Sequence, residues 1–219
     1  MFRSDSTERR APAGRRRLAF TFVGLWLLAA AAGMGIVWDH ALSPGVGAAA
    51  PDRWPAESRI PREPGLPTLI LFAHPRCPCT RASLGELALL MARADGRLAA
   101  RVLCLAAGDG PADRGPSEIV AAAGSTPGVR VLADLDGAEA RRFGAATSGQ
   151  TLLYDRGGRL VFRGGITAAR GHAGGNAGLE AVLSFLRTGN PDPDRTPVFG
   201  CPLFGPAEST AAPPRPCPR

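Results

Sequence analysis

The chain of 219 residues has room for one ordinary domain of about 100 to 150 residues plus appendages, not for two domains. All 26 basic residues are arginine, and they accompany abundant Ala, Gly and Pro, the kind of bias a GC-rich genome produces. No basic stripe interleaved with aromatics appears, so the formal charge of +7 gives a nucleic-acid partner only weak support.

That charge is uneven. Residues 1–17 hold six arginines against Asp5 and Glu8, giving +4 and leaving only +3 for the rest. Leu18 to Trp38 follows as 21 residues without a charge, enough as a helix to cross a hydrocarbon core of about 30 Å. Residues 18–38 therefore read as a single transmembrane helix. By the positive-inside rule the Arg-rich segment 1–17 stays in the cytoplasm, which sends the remainder to the periplasmic or extracytoplasmic side of the inner membrane. A cleaved signal peptide is the competing reading, with Ala48-Ala49-Ala50 as the small-residue site. The apolar run is longer than a usual signal core and the Ala triplet lies well downstream, so an uncleaved anchor is preferred. Arg15-Arg16-Arg17 is a faint twin-arginine match.

Residues 39–65 are rich in Pro, Gly and Ala and read as a linker. The folded domain is expected over 66–188. Thr68 to Ala73 is an apolar run of strand length, and Thr80 to Arg93 a helix with Leu84, Leu87, Ala88 and Met91 on one face. Arg101 to Ala106 is the second strand. Gly108 to Pro116 reads as a loop before a short helix, Glu118 to Ala123, capped by Ser117. Val129 to Ala133 is a third strand and Gly137 to Phe143 a short helix. Thr151 to Tyr154 and Leu160 to Ile166 form a hairpin about Asp155-Arg156-Gly157-Gly158. Ala177 to Arg187 is the last helix. Residues 189–219 are a Pro-rich tail carrying Cys201 and Cys217. Strands alternating with helices predict an α/β fold, with a central mixed sheet flanked by helices.

The chemistry concentrates in His74-Pro-Arg-Cys-Pro-Cys-Thr, a turn between the first strand and the first helix of the domain. A thiolate at Cys77 or Cys79 would face the unsatisfied N–H groups and positive end of that helix, which lower its pKa and keep it nucleophilic. Cys104, among Val102, Leu103 and Leu105, reads as a core residue. Cys201 sits in an apolar island, Thr196 to Phe204, that should dock on the domain. It either resolves a mixed disulfide at the turn or pairs permanently with Cys217.

This cysteine turn after the first strand, together with the run from Asp134 through Phe143 to Gly165, resembles the thioredoxin-like proteins of the membrane-anchored, peroxiredoxin-related kind. More narrowly, His74-Pro-Arg-Cys-Pro-Cys-Thr-Arg-Ala-Ser-Leu with Gly164-Gly-Ile-Thr and Arg170-Gly-His is similar to a group called RedB-like. The resemblance covers Leu66 to Arg187 and implies a thioredoxin-like fold and thiol chemistry. Three departures stand beside it. The two cysteines are separated by one residue, not two, with Thr80 in the place of the usual second cysteine. His74 stands where a peroxidatic site has Thr or Ser, which disfavours peroxide reduction. Ser148-Gly149-Gln150 replaces the proline that normally faces the reactive cysteine. In the resembled fold the end of the hairpin returns beside the cysteine turn, so Arg170 and His172 are expected near Cys77.

Two functions follow. The leading one is a membrane-tethered thiol-disulfide oxidoreductase with Cys77 as nucleophile and Cys79 or Cys201 resolving. Arg170 and His172 would stabilise the thiolate, and no cofactor is required. Its partners are exported proteins or small-molecule thiols and disulfides, with electrons from a membrane or periplasmic partner. The alternative is a copper-handling or redox-sensing module that binds Cu or Zn through His74, Cys77 and Cys79, with Cys201 or His172 as further ligands.

Overall fold

The computed structural model describes residues 13–47, 49–106 and 118–205. The chain divides into two units between His40 and Ala41. The first is carried by helix α1 (Ala13–Leu42), which contains a stretch, Arg17–Leu42, long and apolar enough to cross a membrane. Its large apolar side chains, Phe20, Leu25, Trp26, Leu28 and Ile36 among them, are exposed.

In the second unit the elements run β1 (Thr68–Ala73), α2 (Cys79–Ala94), β2 (Ala99–Ala106), α3 (Glu118–Ala123), β3 (Val129–Leu135), α4 (Ala138–Arg142), β4 (Gln150–Tyr154), β5 (Leu160–Gly165) and α5 (Ala177–Thr188). They form one five-stranded sheet in the order β3-β2-β1-β4-β5. The first three strands are parallel, while β4 and β5 run antiparallel. Every residue of β1 is buried, as expected for a central strand covered on both faces.

Local chemistry sets the element ends. Helix α2 stops at Asp95 and Gly96, both with positive φ. Helix α5 starts at Asn176, whose side chain accepts the Leu179 N–H at 2.8 Å, and ends at Gly189 with φ 79°. Each sheet face carries its own core. On one side Leu84, Leu87, Leu90 and Met91 of α2 meet Leu179, Val182 and Leu183 of α5 over Leu69, Leu71 and Leu153. Cys104 is buried in this cluster, as its apolar neighbours in β2 predict. On the other side Ile70, Phe72, Leu152 and Tyr154 pack with Phe143, Ile60 and Leu203.

The segment expected as a linker differs from a free spacer, because its later half lies against this second face. Trp54 stacks edge-on against Phe143 and Tyr154, each at 5.1 Å between ring centroids. Arg101, 1% exposed in β2, donates to Glu63 Oε2 at 2.8 Å and to Pro61 O at 3.1 Å. A buried guanidinium needs such partners, so Glu63 and Pro61 are part of the fold. The tail likewise packs, with Val198, Phe199 and Leu203 buried. The expected loop Gly108 to Pro116, the Ser117 cap and Cys217 lie outside the described residues.

Candidate active site

Strand β1 ends at Ala73, and the chain turns through His74 to Pro78 before α2 begins at Cys79. The turn is closed by the Cys77 N–H donating to His74 O and the Thr80 N–H donating to Cys77 O, both at 3.1 Å. Pro78 occupies the N-cap of α2 and supplies no side-chain acceptor. Of the helix's first N–H groups, that of Cys79 is left to serve the Cys77 sulfur.

Cys77 and Cys79 are both buried, at 5% and 7% exposure. The tail brings Cys201 to them, its Sγ 3.0 Å from Cys77 Sγ. This is about 1 Å longer than a disulfide bond, and all four described cysteines are free thiols. The tail is held by backbone: Ser148 N–H donates to Cys201 O and Leu203 N–H to Ala146 O, each at 2.9 Å. Gly200 is required at its position, since a Cβ there would sit 1.9 Å from Ser148 O.

The three thiols are not equivalent. Burial pushes the Cys77 thiol up, but hydrogen bonds from the Cys201 side chain and backbone, the Cys79 backbone and the Ser148 hydroxyl outweigh it and leave Cys77 more acidic than an ordinary cysteine. Cys201 is pushed up to about 11, by burial first and then by its hydrogen bond to Cys77 and the negative charge there. Either sulfur can carry the shared proton, and the opposite directions of the two shifts favour Cys201 as its holder. Cys79 is raised by burial and by Cys77, an effect opposed by the Gly171 N–H and by Arg170. Burial, with Arg76 beside it, lowers His74 and so favours its neutral form.

Ser148 and Thr80 complete the site. Ser148 Oγ accepts the His74 N–H at 2.9 Å, and Thr80 Oγ1 lies 3.2 Å from Ser148 Oγ while donating to His74 O at 3.0 Å. Ser148 stands where the resembled fold places its proline, and that position was the one signal in the sequence that could have singled it out.

Of the other expected residues, Arg170 reaches the site: its guanidinium donates to Gly200 O and bears on Cys79 and Cys201. His172 is exposed and donates its backbone N–H to Ala169 O. The alternative metal set is not assembled. Among the described residues no three His, Cys, Asp or Glu side chains converge to hold a metal ion, and His74 Nδ1 accepts the Arg76 N–H at 3.1 Å.

The central mixed sheet, its antiparallel terminal hairpin and the cysteine turn between β1 and α2 define a thioredoxin-like fold. Among solved structures, a hypothetical protein from Sinorhizobium meliloti is similar, 24% identical with a TM-score of 0.54 over 74% of this chain and 94% of that one. An uncharacterized conserved protein from Geobacillus kaustophilus is similar at 19% identity and TM-score 0.53, over 75% of this chain and 94% of that one. A secreted Mycobacterium tuberculosis disulfide oxidoreductase homologous to DsbE is a more distant likeness, 19% identical with a TM-score of 0.35 over 44% of this chain and 67% of that one. No protein-family model and no curated protein sequence matches the chain.

Proposed function

We propose that the protein is a membrane-tethered thiol-disulfide oxidoreductase in which Cys77 is the nucleophile and Cys201 the resolving thiol. The observation that carries this reading is the 3.0 Å contact between an acidified Cys77 and a proton-retaining Cys201. The Cys77 thiolate attacks one sulfur of a substrate disulfide, forming a mixed disulfide and expelling the other sulfur as a thiolate. Cys201, giving its proton to that leaving thiolate, then attacks Cys77 Sγ and expels the second substrate thiolate. The substrate gains two electrons, and the protein is left with a Cys77–Cys201 disulfide. Run in reverse, the same exchange oxidises a substrate dithiol. Thr80, in the place of the usual second cysteine, has no sulfur, which fits resolution from the tail.

The apolar helix supplies the tether, and the arginines before it favour a cytoplasmic N-terminus with the thiol domain on the far side of the inner membrane. The substrates are then exported proteins or small-molecule thiols and disulfides, and a membrane or periplasmic partner resets the pair.

The test is disulfide mapping by mass spectrometry on the full chain in detergent, equilibrated in thiol buffers of graded potential. A Cys77–Cys201 bond that forms and breaks reversibly is the expected result. If Cys77 stays reduced at every potential, the oxidoreductase reading is withdrawn.

A further inference from the structure

The sheet face that carries Gln150, Leu152 and Tyr154 opens at one end into a cleft of about 260 Å³, lined by Gly47, Gln150, Arg163, Gly164, Arg195 and Thr196. Gln150 has no exposure at all, and its Nε2 has no hydrogen-bond partner among the described residues. Its Oε1 accepts the Ala146 N–H at 3.2 Å, which fixes the orientation of the amide and leaves the nitrogen as the unmet end. A buried donor without an acceptor is costly and calls for an explanation.

The cleft is also cationic. Arg163 lies opposite Leu152 in the β4–β5 register, hence on the same face as Gln150. Arg195 bridges to Arg163 from the tail, so two arginines stand side by side on neighbouring chain segments. Among the described residues neither guanidinium has a carboxylate within ion-pair distance, unlike Arg93, Arg101, Arg142 and Arg159. Asp192 and Asp194 stand on the same tail segment and are exposed, and Asp194 meets Arg163 through its backbone carbonyl. The Thr196 hydroxyl already donates to Gly165 O at 2.8 Å. Adjacent like charges beside an orphaned donor ask for one thing, an acceptor with negative charge.

We infer that this cleft binds a small oxyanion, a carboxylate or a phosphate group, held by the guanidinium forks of Arg163 and Arg195 with the Gln150 amide as its buried donor. Such a group relieves the repulsion between the arginines, accepts charge-assisted hydrogen bonds from both and satisfies Nε2. The volume lies below the roughly 300–1,000 Å³ of sites for drug-sized ligands, which fits a small anion and not a nucleotide cofactor. The inference goes beyond the thiol chemistry and stands whether or not Cys77 is redox-active.

The experiment uses the full chain in detergent micelles, titrated at constant ionic strength with inorganic phosphate and, separately, with succinate. Calorimetry reads the affinity, and nitrogen-15 NMR reads the Gln150 side-chain amide. The expected result is saturable binding of at least one anion with a shift of the Gln150 amide resonances; the tighter of the two names the head group. Arg163→Gln and Arg195→Gln should each weaken binding about tenfold or more, and Arg156→Gln, in a different cleft, should leave it unchanged. Absence of saturable binding by both anions overturns the inference, as does a saturable isotherm that leaves the Gln150 amide unmoved. The amide readout needs only the unmodified protein, so it decides the matter even if an arginine variant fails to fold.

Discussion

The sulfurs of Cys77 and Cys201 meet at 3.0 Å across 124 positions of chain, and the meeting makes the two thiols unlike. One is embedded in donors at the mouth of a helix and gives up its proton readily. The other faces that negative charge and holds its proton up to about pH 11. Under the proposed function, acid and nucleophile follow from position.

Alkylation of Cys77 by iodoacetamide, followed against pH by peptide mass spectrometry, should show a midpoint below the ordinary thiol value of 9.0. Cys201→Ala removes the strongest stabilising hydrogen bond, so the midpoint should rise. Ser148→Ala removes a weaker one and should raise it less. Because only the thiolate reacts, both variants should slow alkylation at neutral pH.

Cys201→Ser, mixed with glutathione disulfide, should accumulate a glutathione adduct on Cys77, whereas the unmodified protein should pass on to the Cys77–Cys201 bond. Cys79→Ser should resolve as the unmodified protein does. The opposite pattern, with the adduct trapped by Cys79→Ser and cleared by Cys201→Ser, would transfer the resolving role to Cys79.

Reduced protein should lose stability as pH rises from 9.0 toward about 11, through Cys201. In that window the unfolded chain has released the Cys201 proton and the folded chain still binds it, so stability falls with rising pH. Chemical denaturation across this range checks the sign, and Cys201→Ala should flatten the decline.

Gly200→Ala would set a methyl group 1.9 Å from Ser148 O. The tail must then lift from residues 146–148, and a displacement on the order of 1 Å should slow resolution by about tenfold to a hundredfold. Gly85→Ala, exposed on α2 with nothing within 4 Å, is the control. Stopped-flow measurement of Cys77–Cys201 bond formation reads both.

Glu86 is 4% exposed on α2, and its carboxylate accepts the Gly174 N–H at 2.6 Å and Asn176 Nδ2 at 3.1 Å. It anchors the loop that presents Gly171 to Cys79. Glu86→Gln turns an amide toward one of those donors and should cost about 1–3 kcal/mol in denaturant unfolding.

Much of this architecture was legible in the residues. Thr68–Ala73 and Glu118–Ala123 have the bounds that the residue pattern predicts. The helix after the cysteines begins one residue earlier than its period indicates, because Pro78 fits the turn before it. The apolar island about Cys201 announced its docking, since Val198, Phe199 and Leu203 have no reason to stand in a polar tail. What escaped notice has no period to betray it. Trp54, Ile60 and Glu63 are scattered among prolines, and their partners Phe143, Tyr154 and Arg101 lie far along the chain. Ser148 is legible only through the resemblance that sets 148–150 opposite the reactive cysteine; serine by itself is ordinary in a loop, and its contact with Cys77 belongs to the fold. His172 illustrates the converse, a chemically suggestive side chain that the loop turns outward.

A covalent bond from Cys77 to Cys201 would close a ring of chain around nearly the whole sheet. Loop-closure entropy for a ring of that size amounts to about 5 kcal/mol withdrawn from the unfolded ensemble. Fold and bond would then reinforce each other, so the oxidised protein should melt later than the reduced one. The electrons stored in the pair become, in effect, a setting of how tightly the molecule is laced.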